Sequence, residues 1–260
     1  MTEVVKKALC LLKVFTEARP ELGLSDLSRM TQVDKATAHR LLQTLREEGL
    51  IDQHPVSKLY RLGGAVLVLA RVREAAFPFT SLVQPMLDLL SDETGETAHC
   101  SIYTNHRLAV IAAAESRRAN RVSMQGAETL PFHATASGLA FLAYAPAACV
   151  NEALAQPLAG FTRHTCTDRA LVLANLNAAR TAGYAVVDKT YEEDVVGIAA
   201  PIFGPDDTAI GALAVAAPSH RWTNELERQL AKAVPSAAIS LSRTMGHEPP
   251  STYPCLTVAR

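Results

Sequence analysis

The stretch from Leu24 to Leu50 reads LSDLSRMTQVDKATAHRLLQTLREEGL, which is the pattern of two short amphipathic helices joined by a tight turn. In both helices apolar residues recur at the spacing of a half-buried helix. They are Leu24, Leu27 and Met30 in the first helix and Ala38, Leu41, Leu42 and Leu45 in the second. Ser25 and Asp34 have side chains that cap helix N-termini, so we expect them to begin the two helices.

The open face of the second helix carries side chains that suit contact with DNA. Hydrogen-bond donors on this face could reach phosphates and base edges, and a helix of this width fits the major groove. The candidate contacts are Lys35, Ala36, Thr37, His39, Arg40 and Gln43, together with Ser25 at the start of the first helix. An ordinary helical hairpin with a solvated polar face has the same pattern, so the helix pair alone leaves both interpretations open.

A small hairpin is predicted directly after the helix pair. Residues 51–62 read IDQHPVSKLYRL, which is the pattern of two short strands around a Pro-Val-Ser-Lys turn. A helix pair followed by such a hairpin is the layout of a winged helix-turn-helix. Lys58 and Arg61 would then lie where a wing touches the DNA backbone, and Tyr60 is a further candidate contact.

Four segments along almost the whole chain resemble the IclR type of bacterial transcriptional regulator. The first two are similar to the family's recognition helix and to the end of its wing, and the last two belong to its ligand domain. They read KATAHRLL (residues 35–42), YRLG (60–63), PFHATASG (131–138), and GYA (183–185) followed by GIAAPI (197–202). Their common order and spacing make the resemblance specific.

The resemblance implies an α/β fold of the α+β kind, organised in four parts. The C-terminal domain would be GAF-like, with a mixed and largely antiparallel sheet. The parts are a winged helix-turn-helix DNA-binding domain (1–64), a linker and dimerisation helix (65–79), an effector-binding domain (80–245) and a flexible tail (246–260).

Two further helices matter for the DNA-binding part. Residues 4–17 predict a first helix that completes a three-helix head. Its inward-facing residues would be Val5, Ala8, Leu9, Leu12 and Phe15. The linker helix is apolar at Leu67, Leu69 and Val72, so this surface must be covered. Packing against its own head is one explanation, and the resemblance implies dimerisation as another.

Composition and charge suit a DNA-binding head on a larger body. The chain has 260 residues, 48% of them hydrophobic, and a net charge of −1, which excludes a protein that coats nucleic acid through bulk charge. Residues 1–75 carry 12 Lys and Arg against 9 Asp and Glu, a net charge of +3. The remainder carries 13 against 17, a net charge of −4. This asymmetry favours a small basic head on an acidic body.

The cysteines indicate neither a disulfide framework nor a metal site. There are five, and they are odd in number, scattered and without a C-x-x-C pair: Cys10, Cys100, Cys149, Cys166 and Cys255. No cofactor motif is evident. The chain shows no secretory signal, and its apolar run at residues 65–70 is too short to span a bilayer. We therefore expect a cytoplasmic protein without a membrane segment.

The segment from His133 to Ser137 is the first candidate wall of an effector site. It places small residues and hydroxyl groups at the predicted start of a helix, where free N–H groups favour an anion such as a carboxylate. Thr135 and Ser137 could add side-chain donors. In the alternative interpretation Thr135 only caps the helix, and the small residues pack it against the sheet.

The second candidate wall combines residues 188–197 with the strand at 210–216. In the family this strand often supplies polar groups to a small oxoacid, but here it is small and apolar, and Gly197 stands where a cysteine is often found. These departures indicate a roomier, less polar cavity that fits an aromatic or longer-chain carboxylate better than glyoxylate. The candidate effector contacts are His99, His133, Ala134, Thr135, Ala136, Ser137, Asp188, Gly197, Ile198, Ala214 and Ala216.

Three functions remain open from the sequence. The first is a DNA-binding regulator, in the simplest case a repressor, that binds a double-stranded operator as a homodimer or dimer of dimers and responds to a small organic acid. The second is a cytoplasmic enzyme with Cys100 as nucleophile near His99 or His133, although no nucleophile–base–orienter spacing is visible. The third is a scaffold that uses the winged helix for protein contacts.

Overall fold

The structure, a computed structural model, describes residues 2–16, 19–76, 79–124 and 129–254. The chain divides into two units, Met1–Phe79 and Thr80–Arg260. The glutamate at which the first helix was expected to end, Glu17, and the fifth cysteine, Cys255, lie outside the described residues.

The first unit is a winged helix-turn-helix followed by one more helix. Its core holds Leu11, Leu27 and Ile51 together with the four apolar residues that the sequence assigned to the inner face of the second predicted helix. The elements are α1 (Thr2–Leu12), α2 (Leu24–Thr31), α3 (Lys35–Glu47), the antiparallel strands β1 (Ile51–Gln53) and β2 (Tyr60–Leu62), and α4 (Gly64–Ala76).

The two helix starts in this unit differ in how they are capped. Asp34 caps α3 as predicted: its carboxylate accepts a hydrogen bond from Thr37 N at 2.9 Å, and this bond lowers the pKa of Asp34. The prediction for Ser25 is wrong. Gly23 is the N-cap of α2 without a side-chain hydrogen bond, so Ser25 lies inside the first turn.

The predicted inward face of α1 is confirmed in part. Ala8 and Leu12 pack against the core, and Phe15, which follows the helix, is buried, as predicted. Leu11 is also buried, whereas Val5 and Leu9, which were predicted to face inward, are 57% and 48% exposed. The helix also ends at Leu12 rather than near residue 17. The apolar residues of α1 cover too much of its circumference for spacing alone to select the buried face.

The second unit is built on a six-stranded sheet in the order β5-β4-β3-β8-β7-β6. Within the described residues, all neighbouring strands of this sheet are antiparallel, where the sequence predicted a mixed, largely antiparallel sheet. The strands are β3 (Thr97–Thr104), β4 (Arg107–Ala114), β5 (Thr129–Leu130), β6 (Ala185–Asp188), β7 (Val195–Phe203) and β8 (Ala209–Pro218).

Helices pack on this sheet. The buried helix α6 lies on β7 and β8, where Ala199, Ala212 and Ala214 are part of the same cluster of buried residues. These small side chains let the helix approach the sheet closely. The helices of the unit are α5 (Phe79–Thr94), α6 (Ala136–Tyr144), α7 (Ala147–Ala153), α8 (Arg169–Ala182) and α9 (Asn224–Thr244).

The segment after α9 is packed as far as residue 254, although the sequence predicted a flexible tail from Gly246. Tyr253 is buried in the same cluster as α6, between the rings of Tyr144 and Phe203. Its hydroxyl donates to Gly183 O at 2.7 Å. One buried aromatic side chain therefore ties this segment to the domain, which composition did not indicate.

None of the helices in the described ranges combines the length and the apolar character that crossing a bilayer requires.

Candidate DNA-binding surface and effector cavity

The candidate DNA-binding residues of α3 share one solvent-facing side. Lys35, Ala36, His39, Arg40 and Gln43 are exposed, and Thr37, whose N–H donates to the Asp34 cap, is half-buried. The opposite side of α3 forms the core of the head. The helix therefore offers several side-chain donors on one exposed face, as a recognition helix does.

The wing presents Lys58 at its tip. Lys58 has a φ of 59°, and its carbonyl oxygen accepts a hydrogen bond from Gln53 Nε2 at 3.0 Å, which closes the turn. Its side chain is exposed. The Arg61 guanidinium is also accessible, but it lies 3.7 Å from Glu21, a loose contact that a phosphate could replace.

Tyr60 does not belong to the exposed surface. It is 3% exposed and packs in the core of the head, and its backbone pairs with Leu22. Side chains alternate along a strand, so Tyr60 points inward where Arg61 points outward. Its proposed role as a DNA contact is corrected to a role in the core.

A cavity in the second unit gathers eight of the eleven predicted effector contacts. It contains about 560 Å³ of atom-free space, counting its opening to solvent. The predicted residues that line it are His99, Ala134, Thr135, Ala136, Ser137, Gly197, Ala214 and Ala216. They come from β3, the start of α6, β7 and β8, which meet at this point of the sheet.

Three predicted contacts do not line this cavity. Ile198 is fully buried and follows Gly197 in β7, so strand alternation directs it to the other face of the sheet. His133 and Asp188 border a separate groove beside α8, where His133 Nε2 lies 2.8 Å from Ala159 O. The sequence analysis assigned these residues to the cavity because they are close along the chain to other candidate residues. Closeness along the chain does not determine which face of a helix or strand a side chain occupies.

The sequence missed a wall made by the loop after β4, where Val122, Ser123 and Met124 line the cavity. Leu130 and Val187 also line it, as do three residues of the segment 188–197 that the sequence predicted as the second wall, namely Tyr191, Glu192 and Val195.

Glu115 holds the loop after β4: its carboxylate accepts from Ser123 Oγ at 2.7 Å and from Met124 N at 2.9 Å. Hydrogen bonds from Arg121, from Ser123 and from the Met124 N–H lower the pKa of Glu115. No sequence pattern predicts that a glutamate forms hydrogen bonds with a loop eight residues later.

Helix α6 begins at the cavity wall. Thr135 is its N-cap, and its hydroxyl accepts from Gly138 N at 3.1 Å and donates to Pro131 O at 2.8 Å. Thr135 therefore caps the helix, as the alternative interpretation expected, but it also lines the cavity, so capping is not its only role. The N–H groups of Ala136 and Ser137 lie in the first turn, where the helix supplies no acceptor.

His99 is the buried titratable group of the cavity. It is 6% exposed, and burial lowers its pKa to about 4, so the ring is neutral near pH 7. Its Nε2 lies 3.2 Å from Ser137 Oγ. Glu192 also lines the cavity, and partial burial and neighbouring Asp194 raise the pKa of its carboxyl group.

Cys100 has none of the features of a catalytic nucleophile. It is fully buried, and burial raises the pKa of its thiol, which disfavours the reactive thiolate. It follows His99 in β3, so the two side chains point to opposite faces of the sheet. Within the described ranges, no three histidine, cysteine or acidic residues come together as a metal site.

Comparison with known proteins identifies the family of both units. Residues 4–55 match the IclR helix-turn-helix domain, and residues 76–243 match the domain described as bacterial transcriptional regulator IclR C-terminal. The chain is 29% identical over 244 residues to the HTH-type transcriptional regulator XynR of Escherichia coli K12, covering 94% of this chain and 97% of that protein.

Solved structures agree with the sequence comparison. A crystal structure described as an IclR transcriptional regulator from Silicibacter sp. TM1040 is 43% identical, with a TM-score of 0.88 over 96% of this chain and 99% of that one. An IclR homologue from Microbacterium hydrocarbonoxydans, complexed with 4-hydroxybenzoate, has the same fold, with a TM-score of 0.81, 23% identity, and coverage of 94% and 99%. The chain belongs to the IclR family of DNA-binding bacterial transcriptional regulators, and it is a regulator rather than an enzyme.

Proposed function

We propose that the protein controls transcription by binding an operator through α3 and the wing, and that a small carboxylic acid in the cavity of the second unit controls this binding. The observation that carries the proposal is the cavity at the start of α6, in a chain whose first unit exposes a polar recognition helix. A regulator of this kind acts where the DNA is, in the cytoplasm.

On the DNA, α3 and the wing have different tasks. We assign base contacts to the exposed face of α3, with Thr37, Arg40 and Gln43 as the central residues. Lys58 and Arg61 bind phosphates, which position the protein without reading the sequence. The loose ion pair of Arg61 with Glu21 leaves its guanidinium available for this exchange.

The effector is a carboxylic acid with an apolar body. Its carboxylate meets the first-turn N–H groups of α6 at Ala136 and Ser137, where the helix dipole also favours an anion. Lysine and arginine are absent from the described lining, so these N–H groups take the place of an ion pair. The apolar body lies against Ala214 and Ala216. The complex of the Microbacterium homologue with 4-hydroxybenzoate supports an aromatic acid.

Control follows from differential binding. If the acid binds one arrangement of a dimer more tightly than another, it shifts the population towards that arrangement and changes the separation of the two DNA-binding heads. In the simplest case the free protein represses transcription and the acid releases it.

Titration calorimetry combined with gel shifts tests this proposal. A panel from glyoxylate to substituted benzoates should contain an acid that binds and changes operator affinity, and its carboxamide should not. Ala214→Phe should fill the cavity and abolish the response while operator binding persists. An acid and its carboxamide that bind equally well would contradict the carboxylate assignment, and tight binding of glyoxylate alone would contradict the apolar body.

A further inference from the structure

Residues 159–165, which we call the clip, do not line the cavity but are bonded to one of its walls. The hydroxyl of Thr162 donates to Lys189 O at 2.6 Å, and the hydroxyl of Thr165 donates to Thr190 O at 2.7 Å. These two carbonyl groups begin the loop between β6 and β7, and later residues of this loop line the cavity. The clip can therefore influence a bound molecule only through the walls that it contacts.

Tyr191 is the residue of this loop through which the clip reaches the cavity. Tyr191 lines the cavity, and its ring meets the ring of Phe161 edge to face, with centroids 5.0 Å apart and planes at 71°. Phe161 in turn contacts the ring of His133, with centroids 5.9 Å apart. Because aromatic pairs have a preferred geometry, Phe161 limits the orientations that are open to the Tyr191 ring.

The clip and the loop are also connected with the start of α6. His133 Nε2 donates to Ala159 O at 2.8 Å, and Thr190 Oγ1 donates to Ala134 O at 2.7 Å. His133 and Ala134 directly precede Thr135, the N-cap of α6. The clip therefore holds the wall formed by the loop against the wall that we propose for the carboxylate.

The loop itself contains little that would keep it in this position. Two backbone hydrogen bonds close it, from Lys189 N to Val195 O at 2.9 Å and from Val195 N to Glu192 O at 3.4 Å. Glu192, Glu193 and Asp194 are consecutive acidic residues of the loop, and their like charges repel one another. Contacts from outside the loop therefore matter for its conformation.

We propose that Phe161 is a positioning residue for the effector: it holds Tyr191 in the orientation that binding requires, and it acts together with Thr162 and Thr165. The inference rests on the proposed function, because it assumes that the acid binds in this cavity. A wall that is already ordered loses less conformational entropy when a ligand binds. Loss of the clip contacts should therefore weaken binding of the acid, although no clip residue touches it.

Hydrogen exchange on the protein without any acid tests the first step. Phe161→Ala and Thr165→Val should speed the exchange of the loop amides, among them the hydrogen-bonded Lys189 N–H, by about fivefold. Thr208→Val is the matched control, because the hydroxyl of Thr208 donates to Pro205 O in a turn outside the clip. Unchanged exchange in both clip variants would overturn the inference, whether or not an acid binds.

Titration calorimetry with the panel from glyoxylate to substituted benzoates tests the second step. Phe161 is 43% exposed, so Phe161→Ala should fold, and it should bind the acid about threefold to tenfold more weakly than the wild type. Phe161→Tyr keeps the ring and should bind like the wild type. In the Tyr191→Ala background, Phe161→Ala should have no further effect, because Phe161 acts through that ring. Leu171→Ala shortens another exposed apolar side chain, on α8, and should leave the affinity unchanged.

The outcomes separate this inference from the proposed function. Equal losses of affinity in the wild-type and Tyr191→Ala backgrounds would overturn the action of Phe161 through Tyr191. Faster exchange with unchanged affinity would also overturn it and would leave the carboxylate assignment intact. If no acid of the panel binds to the wild type, the proposed function fails, and the positioning role with it. Circular dichroism checks folding, and Thr165→Val in the same calorimetry decides the matter if Phe161→Ala does not fold.

Discussion

His99 illustrates what burial does to a single side chain. Water would solvate both ring nitrogens, but among the described residues only Nε2 has a partner, and burial strongly disfavours the charged form. The residue therefore has a cost in free energy in the folded protein.

The lowered pKa of His99 predicts acid sensitivity. The unfolded chain binds a proton near pH 6.5 and the folded chain only near pH 4, so stability is complete above pH 6.5 and falls as the pH drops towards 4. Between pH 7 and 4.5 this one residue should remove about 2–3 kcal/mol. Urea unfolding at the two pH values measures it. His99→Gln lacks the titrating group, and an equal loss in that variant would assign the effect to other residues.

We expect Arg40 to contact bases of the operator and so to contribute to sequence specificity. It is exposed on α3 and has no role in the core of the head. Arg40→Ala is expected to weaken operator binding by about 1–3 kcal/mol, the value of a good base contact, and to leave the fold unchanged. Gel shifts on the promoter of its own gene measure this. Arg228→Ala removes the same charge from α9 and should bind like the wild type; equal losses in both variants would exclude a base contact.

Among the individual elements, we expect the wing to position the protein on the DNA without recognising the base sequence. Lys58→Ala should weaken binding to all DNA sequences about equally, because a phosphate contact carries no sequence information. The slope of log affinity against log salt should fall in magnitude by about 0.9. Fluorescence anisotropy at several salt concentrations gives this slope, with Lys232→Ala in α9 as the matched control. An unchanged slope for Lys58→Ala would show that the wing does not touch the phosphates.

The segment after α9 stabilises the second unit through one ring. Tyr253→Ala empties a site among Tyr144 and Phe203 and should cost about 3–5 kcal/mol, the range for deleting a buried aromatic side chain. Tyr253→Phe removes only the bond to Gly183 O and should cost about 1 kcal/mol. Thermal unfolding distinguishes them. Thr252→Ala changes an exposed neighbour and should be neutral; a neutral Tyr253→Ala would mean that this segment is dispensable.

For the whole molecule, α4 predicts self-association. Leu67, Val68, Leu69 and Val72 are between 61% and 70% exposed in the single chain, which is unusual for a run of large apolar residues. A second copy would cover them and would supply the second head that a two-fold operator requires. We expect light scattering to report at least a dimer at micromolar concentration.

A double substitution tests whether this surface of α4 forms the dimer interface. Leu67→Glu with Val72→Glu should give monomers, because burying two carboxylates in an apolar interface is costly. The control is Leu171→Glu, since Leu171 is also well exposed, at 59%, but lies on α8. A wild-type monomer would rule out the dimer, and a dimeric double variant would move the interface away from α4.

The features that depend on neighbours along the chain could be predicted from the amino-acid sequence. The inner face of α3 and the cap at Asp34 follow from helical spacing and from one short side chain, so they could be predicted. The family followed from four segments in order. Most of the cavity was also foreseen, because the small residues at 134–137 belong to one segment.

Which side of an element faces which neighbour follows only from the packing of the domain. Ile198 and Tyr60 changed roles because a strand sends adjacent residues to opposite faces. Tyr60 lies in a strand of three residues, and Ile198 in a strand that is buried on both faces, so neither strand has a pattern that reveals the side of a single residue. The loop held by Glu115, the burial of Tyr253 and the unpaired nitrogen of His99 arise where distant segments meet. Such contacts depend on the packing of the whole domain, which no local pattern records.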